Sequence, residues 1–346
     1  MFQNWQIRTL NAIAWISLAS AIVGLFIGLL RAGEQSLITD VSVGMLTGIL
    51  IGLSCSCSEF FVFSNSRLRL ARQMPLWQLL LLRTIVWCVC ILAGMSLPNW
   101  LFGQPWQHLD AHFIENFAIS AAIAFAFSSG IEISRLLGTE ATTALITGRY
   151  ARPRLENRVV LFADLVGSTA LAERLGELQF HAFLSDVAQD FADPIYKTGG
   201  DVHRYIGDAV IVTWPLEKGV KNGASLNCAV GMHRILKRRA SFYRTRYKTE
   251  PRIRVAIHCG QVAAGEIGDW KKEIALLGDT MNTAARIESA ARDLGEQIVL
   301  SDDLVKRLPD TLRAPIRVLP AYEAAGKQDK LTLWAVDLHG QMTSCG

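Results

Sequence analysis

Two carboxylates stand where apolar runs give way to glycine-bearing turns: Asp164 in LFADLVGST and Asp208 in YIGDAVIV. Acidic side chains at strand ends are where a rigid scaffold can hold hard oxygen ligands for a divalent cation beside a phosphate. A third segment, GDTMNTAARIE from Gly278 to Glu288, sets Asn282 and Arg286 four residues apart, on one face of a helix. A single aspartate at a turn usually caps or shapes that turn. Two brought close together repel each other unless a cation lies between them, so a metal gives their proximity a reason. Two Mg²⁺ ions about 3.5–4 Å apart would activate an attacking oxygen and neutralise a polyphosphate. The stretch Leu165, Val166, Gly167, Ser168 and Thr169 enters a helix, with backbone N–H groups placed to cradle phosphate oxygens. The combined reading is phosphate chemistry on a nucleotide.

These groups need a scaffold, and the pattern from Arg158 onward supplies one. Arg158–Asp164 is nearly continuous apolar, as in a central strand buried on both faces. Ser168–Tyr196 reads as a helix stopped by Gly199 and Gly200, and Val202–Tyr205 with Ala209–Trp214 reads as a hairpin turning at Gly207–Asp208. A second helix over Ala224–Tyr247 and a strand at Arg252–His258 follow. The apolar run Ile274–Leu277 then leads directly into a helix over Gly278–Leu294, and short strands near 297–300, 316–322 and 331–336 complete the set. Strand, helix, hairpin, helix, strand is the order of a ferredoxin-like α+β core, in which the end of the first strand and the hairpin tip are neighbours.

The N-terminal part is different in kind. The chain has 346 residues, 51% of them hydrophobic and 19% charged, yet no lysine occurs before Lys197. Four apolar spans, Thr9–Leu30, Val41–Phe63, Leu76–Leu97 and Phe113–Leu137, are each long enough for a bilayer core of about 30 Å. The first is too long for the apolar region of a signal peptide and carries no small-residue cleavage site. Arginines gather before the first span (Arg8), between the second and third (Arg67, Arg69, Arg72) and after the fourth (Arg135, Arg149, Arg152, Arg154, Arg158). Arg31 alone follows the first span, and neither Arg nor Lys lies between Pro98 and His112. That asymmetry predicts four crossings with both termini on the cytoplasmic side. The net charge of +4 is accounted for by these flanks, and no nucleic-acid partner is expected.

Arg83, Glu59, Glu115 and Glu132 lie in or near the spans, where a structural ion pair competes with a sensing role. Seven cysteines do not make a disulfide framework in a chain of this size. Cys55 with Cys57 and Cys88 with Cys90 form two C-x-C pairs whose members point to different helix faces, which favours packing over a soft-metal site. The expected organisation is a four-helix transmembrane domain over 1–137, a connector over 138–156, a catalytic domain over 157–337 and a tail over 338–346. Thr139–Ile146 continues the last helix, and Gly148 and Pro153 break it.

The motifs FADLVGST, GGDVHRYIGDAV and LLGDTMNTAARIE, in that order, make residues 157–337 resemble the catalytic domain of class III nucleotidyl cyclases. TGRYARPRLE resembles the transducing element ahead of that domain in many bacterial members, and a four-helix anchor is one of the family's N-terminal arrangements. The resemblance implies that the ribose 3′-oxygen of a nucleoside triphosphate attacks the α-phosphate, expels pyrophosphate and closes a 3′,5′-cyclic monophosphate. It assigns Asp164 and Asp208 to two Mg²⁺ or Mn²⁺ ions, Asn282 to orienting the ribose and Arg286 to charge developing on the phosphate.

Lys271 falls at the family's adenine-reading lysine, which favours ATP over GTP, while Ala275 replaces the accompanying acceptor. Lys327, in AAGKQDK, falls near a lysine that contacts the terminal phosphates. Family sites form between two catalytic domains, so a single chain carrying both residue sets implies a homodimer. The expectation is an adenylate cyclase of the bacterial inner membrane with its catalytic domain in the cytoplasm. A guanylate cyclase, a catalytically silent signalling module and a transporter remain alternatives.

Overall fold

The computed structural model describes residues 2–30, 37–59, 75–101, 111–312, 316–320, 322 and 331–337. The chain divides into two compact units, Met1–Leu136 and Leu137–Gly346.

The first unit contains four long helices, α1 (Phe2–Leu30), α2 (Leu37–Cys57), α3 (Leu76–Leu101) and α4 (Ala111–Leu137). Each holds a stretch long and apolar enough to cross a membrane: Ile13–Leu30, Leu37–Cys57, Trp77–Pro98 and Ile114–Ser134. The second expected span ran to Phe63, and its last residues lie outside the described ones. Glycines set the α1–α2 spacing. A Cβ at Gly24 would collide with the backbone of Gly44, one at Gly28 with that of Asp40, and one at Gly48 with that of Ser20. Small residues in such a seam let helix backbones approach closely where lipid offers no hydrophobic drive. Gly94 of α3 lies against the side chain of Ile51 of α2, where an added Cβ would meet Cγ1 at 2.5 Å. The charged residues pair within this unit: Arg83 is fully buried, with Nη1 2.9 Å from Glu132 Oε2 and Nη2 3.5 Å from Glu59 Oε1.

The second unit opens with a short helix, α5 (Thr139–Thr147), followed by β1 (Arg154–Leu165). The expected continuation of the fourth helix is interrupted by Gly138 at φ 87°, and β1 starts inside the stretch read as a connector. Then come α6 (Ser168–Leu175), α7 (Glu177–Lys197), β2 (Asp201–Ile206), β3 (Ala209–Pro215), α8 (Ala224–Arg238), α9 (Ala240–Tyr247) and β4 (Ile253–Ile267). The unit continues through β5 (Glu273–Leu277), α10 (Asp279–Asp293), β6 (Ile298–Ser301), β7 (Ile316–Val318) and β8 (Leu333–Val336). The sheet order is β2-β3-β1-β4-β6-β8-β7, with β5 pairing β4. Its first four strands are antiparallel and form the expected ferredoxin-like core, with β6, β8 and β7 added at one edge.

Both faces of β1 are covered, which is why its sequence does not alternate. Val159, Leu161 and Ala163 pack into a large cluster with Phe183, Val187 and Phe191 of α7 and Leu226 and Met232 of α8. On the other face Val160 meets Ile211 and Ala284 of α10. Helix α10 turns Thr283, Ala284, Ile287, Ala290 and Ala291 to the sheet and leaves Asn282 exposed. A fully buried Ile such as Ile287 contributes about 1.5–3 kcal/mol, so the helix is held by packing rather than by caps. Thr280 Oγ1 also donates to the Gln261 carbonyl at 2.6 Å, tying the first turn of α10 to β4.

A buried ionic knot joins α5 to β1. The Arg158 guanidinium, 2% exposed, donates to Glu140, to Glu156 Oε2 at 2.8 Å, to the Tyr150 hydroxyl at 2.6 Å and to Thr213 Oγ1 at 3.3 Å. Burial alone would raise the carboxyls of Glu140 and Glu156, but the hydrogen bonds and charge of Arg158 outweigh it and hold both below the usual range.

Candidate active site

Strand register carries the two aspartates to the same place. Ala163 of β1 pairs with Val210 of β3, so Asp164 emerges beside the start of β3, where Gly207–Asp208 form the hairpin tip. Gly207 takes φ 60°, which a side chain would disfavour, and that lets the tip turn in two residues. Both aspartates are half-buried. Burial first, and then the negative charge of Asp208 and of Glu288, push the Asp164 carboxyl up to about 6. Two arginines oppose that shift. Arg254, its register partner on β4, places Nη2 3.5 Å from Asp164 Oδ2, and Arg292 of α10 lies 3.7 Å away. Arg292 is itself shared with Glu288 at 2.9 Å.

Arg254 and Arg292 escaped the reading of the sequence. Arg254 left a signal, a cation inside an otherwise apolar strand, but only the β1–β4 register shows what it faces. Arg292 sits at the end of a polar helix face and gave none.

The residue pair fits a divalent cation. Its donors are hard carboxylate oxygens, and the cost of bringing them together in a half-buried place is the term that a cation removes. Among the described residues no third His, Cys, Asp or Glu completes a metal-ligating cluster. The remaining positions are therefore those that Mg²⁺ ordinarily fills with water and substrate phosphate.

Leu165 to Thr169 form the entry to α6, as expected, but not every amide is free for an anion. The Val166 N–H donates to the Arg252 carbonyl at 2.8 Å. Helix geometry leaves the N–H groups of Ser168 and Thr169, in the first turn, open for an acceptor. Gly167, at φ 73°, precedes them, and the loop borders a cleft shared with Arg174 and Arg252.

Asn282 and Arg286 share a face of α10 but are not brought to Asp164. The part of α10 beside Asp164 is its last turns, at Glu288 and Arg292. Asn282 lies ten residues before Arg292, about 15 Å along the helix axis. Arg286 is half-buried, and its Nη1 is buried without a hydrogen-bond partner. A single chain thus carries Asn282 near the start of α10 and Arg286 at its middle, while the aspartates border its last turns.

Lys271 stands in the turn before β5, 84% exposed, with Nζ 2.7 Å from Glu273 Oε1. Glu273 also receives Arg204 from β2, a neighbour that sequence spacing did not reveal. Ala275 is buried in β5 opposite Gly265 and offers no side-chain acceptor. Lys327 lies outside the described residues.

The profile of a family described as the adenylate and guanylate cyclase catalytic domain matches residues 151–336, more than half of the chain. Adenylate cyclase 2 of Rhizobium meliloti (strain 1021) is 37% identical over 203 residues, covering 59% of this chain and 56% of that protein. The receptor-type guanylate cyclase gcy-23 of Caenorhabditis elegans is 32% identical over 181 residues, 51% of this chain and 16% of its own length. The chain thus spans less than two thirds of either relative. A solved structure of a bacterial light-regulated adenylyl cyclase matches with a TM-score of 0.55 at 20% identity, over 64% of each chain. At that identity the likeness is one of fold.

Proposed function

The chain belongs to the adenylate and guanylate cyclase catalytic-domain family, and from that premise we propose that it is a membrane-anchored adenylate cyclase. It converts ATP to 3′,5′-cyclic AMP and pyrophosphate. The observation that carries this reading is the meeting of Asp164 and Asp208 at the end of β1 and the β2–β3 tip.

In this mechanism the two aspartates hold Mg²⁺ or Mn²⁺, two ions per site. The bound cations supply Lewis-acid polarisation of the α-phosphate and lower the proton affinity of the attacking hydroxyl. Arg254 and Arg292 offset part of the rise that burial and Asp208 impose on the Asp164 carboxyl. The first-turn amides of α6, at Ser168 and Thr169, are donors for phosphate oxygens. Asn282 orients the ribose so that its 3′-oxygen addresses the α-phosphate, and Arg286 stabilises charge that builds on the phosphoryl oxygens. The partnerless Arg286 Nη1 supports that role, because a buried donor without an acceptor is costly until a ligand supplies one. Lys271 is assigned to the base edge.

The distance between the two residue sets argues for a site assembled from two copies, the aspartates from one and Asn282 and Arg286 from the other. Exposed apolar side chains on the same unit favour such pairing: Tyr205 and Ile206 on β2, Ile267 at the end of β4, Leu277 at the end of β5, and the fully exposed Trp270. The four apolar helices, with arginines concentrated on one side, anchor the protein in the cytoplasmic membrane and leave the catalytic unit in the cytoplasm.

The test is a cyclisation assay on the purified full chain with ATP or GTP, in Mg²⁺ or Mn²⁺, with Asp164→Ala as the blank. A strong preference for GTP overturns the adenine assignment; the buried Ala275, which cannot accept from a 6-amino group, is what favours that second reading. Turnover of neither nucleotide, with the chain folded, leaves a silent cyclase-like module.

A further inference from the structure

Helices α2 and α3 run antiparallel, and two contacts fix their register. Gly94 packs on Ile51, and Arg83 pairs with Glu59 at 3.5 Å. Cys55 lies midway between Ile51 and Glu59, on the stripe formed by 51, 55 and 59, and so belongs opposite residues 88–90. Residues 83, 87, 90 and 94 form the facing stripe of α3, with Arg83 and Trp87 buried on it. The side chains approach as that register requires: the Cys55 thiol interacts chiefly with that of Cys90 and less with that of Cys88. Neither is in a disulfide, and one turn away Gly94, whose added Cβ would lie 3.2 Å from the Ile51 backbone nitrogen, lets the two helices approach closely, as a short disulfide bridge needs. Cys57 is two residues on and faces elsewhere, so each C-x-C pair gives one thiol to the seam.

We propose that Cys55 and Cys90 form a dithiol inside the membrane unit that a lipid-soluble quinone oxidises to a disulfide joining α2 to α3. The choice of oxidant follows from location. Both residues lie within stretches that qualify as membrane spans, Leu37–Cys57 and Trp77–Pro98, where a charged oxidant such as glutathione disulfide is excluded. In the step two S–H bonds break and one S–S bond forms. Two electrons and two protons pass to the quinone, which leaves as the quinol. A thiol reductant reverses it. The bond adds a covalent tie to a helix pair otherwise held by packing and one ion pair, and it requires nothing of the cyclase reading.

The experiment uses the full chain in lipid nanodiscs, exposed without oxygen to decylubiquinone, then denatured, alkylated and digested. Two fewer alkylated thiols than in the reduced protein, with a peptide linking Cys55 to Cys90, are expected. Cys55→Ala and, separately, Cys90→Ala each abolish the loss, whereas Cys57→Ala and Cys88→Ala leave it intact. No thiol loss in the wild-type chain, or a link through Cys57 or Cys88, overturns the assignment. Glutathione disulfide acting as fast as the quinone overturns the choice of oxidant.

Discussion

Mixing two inactive variants asks most directly where the active site lies. Asp208→Ala removes a metal ligand and Asn282→Ala removes the ribose contact. Each pure variant is expected to lose about 10²-fold or more of its activity. In one chain the two residues belong to separate places, because the Asp164 neighbours on α10 are Glu288 and Arg292, about 9 and 15 Å along the axis beyond Asn282. In a two-fold dimer of one of each, one site lacks both groups and the other lacks neither. Random pairing at equal amounts makes about half of the dimers mixed, each with one intact site of two, so recovery is about a quarter of wild-type activity in the unsorted mixture and about half in the mixed dimers alone. The assay is cyclic nucleotide formation by co-expressed chains carrying different affinity tags, with the doubly tagged species purified. Mixing Asp208→Ala with Asp164→Ala is the control, and it is expected to recover nothing. Activity of the first mixture no higher than the mean of its two parents refutes the shared site.

Asp164→Ala is expected to abolish turnover while leaving the melting temperature unchanged or raised, since it removes a carboxyl that burial and Asp208 push up to about 6; near-normal turnover removes the metal role. Arg158→Met leaves Glu140 half-buried without its cation and Glu156 with Arg149 alone, and is expected to cost about 3–5 kcal/mol in denaturant unfolding; a loss under 1 kcal/mol would show that the knot is not structural. The same carboxyls predict acid sensitivity. A depressed carboxylate contributes stability that is complete above its unfolded value, here 4.5, and is lost as pH falls through its folded value. The gap in melting temperature between wild type and Glu140→Gln should therefore close below pH 4.5, and a gap unchanged down to pH 3 counts against the assignment. Asp201 runs the other way. Burial and the nearby Glu140 push it up to about 6, so its cost to the fold grows as pH rises from 3.8 through 6. Asp201→Asn is expected to raise the melting temperature at pH 7.5, and a lowered one contradicts that.

The strands and the hairpin were legible because their apolar runs end at glycine-bearing turns, and that placed Asp164 and Asp208 side by side before any coordinates. The helices were less legible. Ser168–Tyr196 reads as one apolar-periodic stretch, yet Gly176, at φ 73°, ends α6 and starts α7. Ala224–Tyr247 divides in the same way at Arg239, where the backbone leaves helical geometry without any glycine or proline to announce it. The polar start of β1, Arg154–Glu156, looked like connector because strand pairing with Val262–Ala264 is invisible locally. The buried Arg158 gave no sign of itself, since its partners Glu140 and Thr213 are distant in sequence. The groups around Asp164 were hidden for the same reason: Arg254 and Arg292 reach it through sheet register and helix packing.

The glycine seam between α1 and α2 bears on how the protein is made. Those two helices can close into a hairpin as soon as both have left the ribosome, because their contact needs only backbone approach and no later segment. Helix α3 arrives with a burden, Arg83 in the first third of its apolar span: an arginine at the centre of a bilayer costs about 2.5–3.5 kcal/mol on the insertion scale, and one nearer the edge less. By then Glu59 has already been synthesised, so Arg83 can find a counter-charge on entering, and Glu132 joins when α4 follows. Insertion therefore has a natural order. Replacing Glu59 should burden the membrane insertion of α3, whereas widening the seam at Gly44 or Gly48 should disrupt the assembly of helices already inserted.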